Sequence, residues 1–430
     1  MPLAGLNATA TYVNEDHDNT HKESRPSVKV VAAIEIGTTY SGYAFSFAHD
    51  PNNVIINTNW LYGGSSTEIA TKTPTIVLLD NKGDFHSFGF DAEKYYLSLT
   101  NHQGWRLFRR FKMALHKNCS LDATIDDLEG NPYPAIELFT TTLRFLNGHL
   151  LKALHTKSST VLETEIQYII TVPAVWTDEA RHFMKESAFR AGINKERLEL
   201  VVDSEAAATW WTGVNIKDNP DINLQTSGSK WLVVKIGGGT ANVLAYEVLP
   251  KGKVKVIQKA SGGAWGFTNV EQQLLENLDQ ELGVGNLDKL RREHIGDYYE
   301  LLQEIEDKTR SRYIFSQDAC VVRLPYSLSQ EVKKHRIQTA KIKTWFDSEL
   351  SSFIDHIKTV LNTNLSLREL TNIVLVDRFA ESMYVQNMLS DAFTELKVII
   401  PQDPKLAVLK GAVLYGHNSG TDISNQSDSI

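Results

Sequence analysis

Short apolar runs and helix-spaced apolar stripes take turns along most of this chain. Val31-Ala32-Ala33-Ile34-Glu35-Ile36 predicts a buried strand, and Tyr43-Ala44-Phe45-Ser46-Phe47 its return across a small polar turn. Pro74-Thr75-Ile76-Val77-Leu78-Leu79 predicts another strand. It is ended by the hairpin signal Asp80-Asn81-Lys82-Gly83, with Phe85-His86-Ser87-Phe88 pairing back. Phe108, Phe111 and Leu115 share one side of a predicted helix or helical turn over 105–115, and apolar positions over 138–154 recur at helical spacing. Ile166-Gln167-Tyr168-Ile169-Ile170-Thr171-Val172 reads as a buried strand stopped by Pro173. Thr177 is placed to cap the next helix, whose first turn carries Asp178 and Glu179 and whose end is marked by Gly192. Strands over 198–202, 372–376 and 397–400 alternate with helical spacing over 270–314, 345–361 and 406–415, and Asp203 opens a further helix.

The same strand–turn–strand unit recurs about two hundred residues later as Trp231-Leu232-Val233-Val234-Lys235-Ile236, Gly237-Gly238-Gly239-Thr240, and Val243-Leu244-Ala245-Tyr246. Each copy is an apolar strand carrying one charge, then Ile-Gly, a small polar turn, and an apolar return. Uncovered backbone N–H groups in such turns suit a phosphate. Alternating strands and helices with a repeated turn predict an α/β fold of two similar lobes facing one another across a cleft. The expected division is a disordered lead-in over 1–28, lobe I over 29–229 with an insertion at about 61–135, and lobe II over 230–400 with an insertion at about 265–340. A closing helix over 401–417 and a disordered tail over 418–430 complete it, with the polar loop 217–230 as the boundary between lobes.

Composition narrows the function classes. The 430 residues are 42% hydrophobic, enough for a full core, and 44 basic against 52 acidic residues (net charge −8) argue against nucleic acid as a partner. No apolar run is long enough to span a membrane, and no signal peptide precedes the first strand. Two cysteines, Cys119 and Cys320, have no metal-ligand spacing and read as free thiols, which with the missing export signal predicts a cytoplasmic protein. Asn7-Ala8-Thr9 fits a glycosylation acceptor only by chance in that setting. The thirteen histidines are read as surface or core residues rather than metal ligands, and Trp210-Trp211 reads as core packing. The basic cluster Arg106, Arg109, Arg110 and Lys112 fits a solvated face and a phosphate contact equally well.

Several separated motifs resemble the 70-kDa heat-shock protein family of the actin-like ATPase superfamily, most closely its divergent twelfth-member branch (the 12A/12B type). They are Ile36-Gly37-Thr38-Thr39-Tyr40-Ser41-Gly42-Tyr43-Ala44, Ile170-Thr171-Val172-Pro173-Ala174-Val175-Trp176, Ile236-Gly237-Gly238-Gly239-Thr240 and Phe379-Ala380-Glu381-Ser382. Phe108 to Leu115, Ser261 to Gly266 and Leu406 to Ala412 look particular to that branch. The resemblance covers residues 30–417. It implies an actin-like ATPase fold around a nucleotide cleft, with ATP or ADP as cofactor. Gly37, Thr38, Thr39, Gly237, Gly238, Gly239 and Thr240 would hold the phosphates, with Glu306, Arg310, Asp377 and Arg378 toward the adenosine. Glu35, Lys112 and Asp203 would stand at the family's catalytic positions.

The same alignment exposes departures. Lys235 and Asn242 stand where the family has aspartates, Glu35 and Glu271 replace two further aspartates, and Thr309 occupies a usual lysine position. Asp377 and Arg378 replace paired glycines beside the base. At about 4 Å and an effective dielectric near 20, each unit-charge pair amounts to roughly 4 kcal/mol, so an ammonium at Lys235 opposes Mg²⁺ strongly. The expectation is a nucleotide-binding protein whose magnesium-dependent hydrolysis has decayed, with a nucleotide-independent pseudo-ATPase scaffold as the alternative and a sugar-kinase-like enzyme as a remote third. Lys235 is expected either to contact a phosphate or to bridge Glu35. Because so little sequence follows His417, no peptide-clamping domain is expected, and protein partners stay unassigned.

Overall fold

The computed structural model describes residues 26–60, 70–116, 119–213, 226–250, 254–311, 314–328 and 334–422. The expectations for residues 1–25 (Asn7 included), for most of the 217–230 boundary and for the tail from 423 lie outside the described residues.

The first lobe opens with β1 (Val30–Ile36), β2 (Tyr40–Phe47) and β3 (Asp50–Ile56), followed by the two-residue β4 (Thr73–Pro74). An insertion carries β5 (Ile76–Leu79), β6 (Phe85–Phe88), α1 (Phe90–Ser98), β7 (Arg106–Arg109), β8 (Thr124–Asp126) and β9 (Pro132–Pro134). The lobe then resumes with α2 (Ala135–Lys157), β10 (Ile166–Val172), α3 (Asp178–Arg190), β11 (Leu198–Val202) and α4 (Asp203–Gly213). The second lobe repeats the plan with β12 (Lys230–Ile236), β13 (Ala241–Val248) and β14 (Val254–Gly263). Its insertion holds α5 (Thr268–Leu282), α6 (Asn286–Glu293), α7 (Ile295–Arg310), β15 (Ala319–Arg323) and β16 (Lys334–Gln338). The chain closes with α8 (Thr339–Thr363), β17 (Asn372–Val376), α9 (Met383–Ala392), β18 (Lys397–Ile399) and α10 (Ala407–Asp422), which runs past His417.

The two central sheets have one topology. The first orders its strands β11-β10-β1-β2-β3 and the second β18-β17-β12-β13-β14. In both, an antiparallel hairpin continues into two parallel strands on the other side. The duplicated turn of the sequence is therefore a duplicated sheet, the arrangement of an actin-like ATPase fold. Strand alternation explains the layering, because successive side chains point to opposite faces. Val30, Ala32, Ile34 and Ile36 enter the core of lobe I. Val31 and Ala33 face a central layer with Ala206 and Ala207 of α4, Trp231 and Val233 of β12, and Val408 and Ala412 of α10. The last helix thus packs between the two sheets, against the first lobe.

Local chemistry sets the helix ends. The Thr177 hydroxyl accepts a hydrogen bond from the Ala180 N–H (3.4 Å), and Gly192 takes a left-handed φ of 95° just past α3. One expectation holds only in its second half. Residues 105–115 are not one helix: β7 pairs antiparallel with β5, Arg110 turns the chain at φ 56°, and only Phe111–His116 forms a helical turn, of the 3-10 kind. Phe108, Phe111 and Leu115 are all buried, as their spacing suggested, but a strand and a tight turn bring them together.

The two insertions meet over the cleft. Ile76, Leu78, Ala92, Tyr96 and Leu107 share an apolar cluster with Ile295, Tyr299 and Leu302 of the second lobe, and the Tyr299 hydroxyl donates to Glu93 Oε1 (2.9 Å). Among the described residues no helix is long and apolar enough to cross a membrane.

Candidate nucleotide cleft

Each glycine turn is closed by the same backbone bond, Gly37 N–H to the Tyr40 carbonyl (3.1 Å) and Gly237 N–H to the Thr240 carbonyl (2.9 Å). The sheets bring the turns face to face. A methyl group built on Gly238 would lie 2.8 Å from Thr39 Cγ2, and one on Gly239 would lie 2.7 Å from Thr38 Oγ1. Any larger residue at either glycine would force the facing side chains to shift. The turns sit on a cavity of about 780 Å³, a volume suited to a bound small molecule. Gly37, Thr38, Thr39, Gly237, Gly238, Gly239, Thr240, Arg310 and Arg378 all line it.

The charged floor follows from strand register. Glu35 pairs across the first hairpin with Gly42, and Lys235 across the second with Asn242, so the two charges hold equivalent positions in the two lobes. They do not meet. Glu35 instead accepts from Lys72 Nζ (2.7 Å), while Lys235 Nζ lies 3.2 Å from Asp203 Oδ2 and 3.0 Å from Asp377 Oδ2. The alternative in which Lys235 bridges Glu35 is thus corrected, because Lys72 claims that carboxylate. Lys112, only 3% exposed, lines the same cavity and rests over the Trp176 ring (5.3 Å to the centroid). Among the described residues its ammonium has neither a hydrogen bond nor an ion pair.

Burial and charge oppose each other at every one of these groups. Burial pulls Lys235 down, but the Asp377, Asp203 and Glu35 carboxylates outweigh it and hold Lys235 above the usual lysine range. Burial is the largest single influence on Asp203 and Asp377 and pushes both up, but Lys235, together with Lys112 and Lys72 respectively and with hydrogen bonds, outweighs it and holds them low. Burial raises the Glu35 carboxyl, which Lys72 offsets only in part. Lys112 is lowered, chiefly by burial, with Asp203 acting against it.

Asp377 combines an ion pair with a strained backbone. It stands where the family resemblance places a glycine, and its backbone has φ 74° and ψ −176°, a region nearly reserved to glycine. Holding aspartate there costs about 1–3 kcal/mol. The side chain offsets it, since Oδ1 accepts from the Arg378 N–H (2.7 Å) and Oδ2 reaches Lys235.

These residues do not fit the magnesium ion that the fold family implies. Its hard oxygen ligands should come from carboxylates left free for the ion or its waters. Here Asp203 and Asp377 converge on an ammonium and Glu35 on another. No group of three or more His, Cys, Asp or Glu residues among the described ones could hold a metal. Asn242 is buried away from the cavity lining, with neither side-chain polar atom hydrogen-bonded.

At the outer end the picture changes again. Glu306 does not line the cavity. It is engaged by Arg109, by Arg110 (3.2 Å) and by Arg310, and Arg110 also pairs with Glu271, which accepts from Thr309 Oγ1 (3.3 Å). Arg109 and Arg110 belong to lobe I, so the sequence's basic cluster is neither a solvated face nor a phosphate contact at these two positions. It is a tie between the lobes. Tyr40 lies between two guanidinium groups, Arg310 (4.7 Å) and Arg378 (4.6 Å). The three arginines hold Glu306 down to about 2 against burial. An acid so depressed contributes stability that is present above the ordinary glutamate range and lost as the pH falls from about 4.5 toward 2. Glu306→Gln is accordingly expected to cost about 1.5 kcal/mol at neutral pH and progressively less in acid, read from urea melts across that range.

Lys72, Lys405, Phe90, Asp307 and Ser311 also line the cavity and escaped sequence reasoning. Lys72 sits in Thr71-Lys72-Thr73-Pro74, which carries no phosphate signature; only β2 pairing with β4 brings it to Glu35.

A sequence model described as Hsp70 protein matches residues 135–425. Among curated proteins, the chain is 28% identical to human "Heat shock 70 kDa protein 12B", over 92% of this chain and 69% of that protein. It is 26% identical to human "Heat shock 70 kDa protein 12A" (94% and 72%), and 24% identical to "Chaperone protein DnaK" of Picrophilus torridus over 58% of this chain and 39% of that one.

Proposed function

The chain belongs to the Hsp70 protein family, and from that premise we propose that it binds ATP or ADP in the central cleft without working as a magnesium-dependent ATPase. The observation that carries this reading is Lys112. A buried, unpaired ammonium opening onto a cavity beside two glycine turns is costly unless an anion completes it. The turns offer backbone N–H groups to the same anion, and Thr38, Thr39 and Thr240 offer hydroxyls. Hydrolysis in this family rests on positioning by metal and carboxylates, and here the carboxylates are bound to lysines. The two unpaired cysteines support a reducing compartment, which we take to be the cytoplasm.

Calorimetry with ATP and with ADP tests the binding. Lys112→Met is expected to weaken either nucleotide at least about tenfold, equivalent to the roughly 1.4 kcal/mol that one charge-assisted bond readily supplies. No heat with either nucleotide, with or without magnesium, would remove the proposal.

A second reading is favoured by one specific observation, the set of ties already joining the lobes: Arg109 and Arg110 to Glu306, Tyr299 to Glu93, and Lys235 to Asp203. On that reading the protein is a nucleotide-independent interaction module. Hydrogen exchange across β12 and α7 that is unchanged by saturating nucleotide would support it.

A further inference from the structure

The mismatch between this cleft and a magnesium ion has a consequence for the form of the ligand. We infer that Lys235 is a resident cation, and that the cleft takes nucleotide stripped of its metal, so that excess magnesium favours ADP over ATP. The inference rests on the nucleotide-binding reading above and extends it to ligand selection.

Three carboxylates, Glu35, Asp203 and Asp377, and three lysines, Lys72, Lys112 and Lys235, share the floor of the cavity. Their formal charges cancel without any ion. Lys72 neutralises Glu35, and Lys235 lies between Asp203 and Asp377, leaving Lys112 as the cation with neither a hydrogen bond nor an ion pair among the described residues. An ammonium has three N–H donors. Lys235 forms ion pairs with two carboxylates, at 3.2 and 3.0 Å, which leaves one of the three donors over. Its nitrogen also lies only 3.4 Å from the point where a Cβ on Gly237 would stand, at the mouth of the second glycine turn. The third donor is therefore within reach of a phosphate oxygen seated on that turn. Lys112 approaches from the other lobe, so two ammonium groups replace one divalent ion.

A magnesium-loaded polyphosphate meets this arrangement badly. The ion brings two positive charges toward Lys235 and Lys112, and the phosphate oxygens it coordinates are those the lysines would bind. It also finds no free carboxylate to orient its waters. Magnesium in solution therefore acts against binding by occupying the nucleotide. ADP holds magnesium less tightly than ATP does, having one phosphate fewer. In excess magnesium the metal-free diphosphate is thus the more abundant competent ligand.

The test is calorimetry of the full chain with ATP and with ADP, each in a chelator and in excess magnesium. The expected result is that magnesium weakens ATP binding at least about tenfold and ADP binding less, given the size of a like-charge pair in a buried site. In Lys235→Gln the magnesium effect is expected to reverse sign, because Asp203 and Asp377 are then free to receive the ion. Binding by the parent protein that requires magnesium, or is indifferent to it, overturns the inference while leaving nucleotide binding intact. No binding under any condition overturns both. Because Lys235→Gln can fail to fold, a second measurement uses the parent alone. Electron paramagnetic resonance of Mn²⁺ with ADP and protein should show only free ion and Mn·ADP, and a protein-bound Mn²⁺ spectrum would defeat the proposal.

Discussion

Gly411→Val is expected to cost at least about 3 kcal/mol of folding stability, the upper range for forcing atoms into a packed interior. Gly411 lies on α10 where that helix crosses α4. A Cβ there would fall 1.6 Å from the carbonyl oxygen of Ala206 and 2.5 Å from its carbonyl carbon. Two effects compete at such a position. In an exposed helix interior, exchanging glycine for alanine gains about 1 kcal/mol of propensity. Here the obstructing atoms are backbone, which cannot rotate aside, so one helix must shift. Such a shift is resisted on the other side, where a Cβ on Gly416 would already lie 2.5 Å from Val31 Cγ1 of β1. Packing therefore outweighs propensity, and urea melts should rank glycine above alanine and alanine above valine. An alanine variant as stable as the parent would show that the two helices have room to spare. Because α4 begins at Asp203, displacement of this pair should also disturb the cleft, appearing as weaker nucleotide binding by whatever folded protein remains.

The sequence foreshadowed the central architecture because both glycine turns are flanked by strands buried on both faces. Such strands read as continuous apolar runs, and the single charged interruption in each, Glu35 or Lys235, marks the residue before Ile-Gly. Two of the edge strands, β3 and β14, were hidden for the opposite reason. β3 contains Pro51, Asn52 and Asn53, and β14 mixes Lys255, Gln258 and Lys259 among its apolar positions. Strands at a sheet border tolerate such residues, and their pattern dissolves into that of a loop. Residues 105–115 misled through real apolar spacing, since Phe108, Phe111 and Leu115 converge equally well from a strand and a 3-10 turn. At the cleft, family likeness singled out the two glycine turns that line the cavity but not the partners of the displaced charges. That Lys72 would claim Glu35, and that Asp377 would keep a glycine's backbone angle to reach Lys235, depends on approaches between segments that no local pattern encodes. Glu306 makes the same point. It was matched to a nucleotide contact, yet three arginines from two lobes surround it.

Lys235→Met is expected to be the most damaging single change in the cleft, costing about 4 kcal/mol at neutral pH, as when one member of a buried ion pair is removed. Methionine fills the space, so the loss would be electrostatic: Asp203 and Asp377 would remain buried with Lys235's charge gone from between them. The sign of the pH dependence follows from the shifts. In the parent, both carboxyls are held below their ordinary values, so their contribution is present above the usual aspartate range and disappears as the pH falls through the folded-state values. Lys235 is held above its ordinary value, so its share is complete below the usual lysine range and is lost only as the pH rises through its folded-state value. In the variant the acids should titrate higher, and taking up protons relieves them. The gap between parent and variant is therefore expected to narrow as the pH falls toward about 4. Guanidinium melts of both proteins over that interval provide the check, and a gap that ignores pH would contradict an electrostatic origin. A second substitution separates charge from backbone. Asp377→Gly in the Lys235→Met background removes one stranded carboxylate and returns a glycine to φ 74°, where the aspartate is strained by about 1–3 kcal/mol. The double variant should therefore be more stable than Lys235→Met alone, although Asp377→Gly in the parent breaks the ion pair. Such opposite outcomes in the two backgrounds are what direct coupling between Lys235 and Asp377 requires.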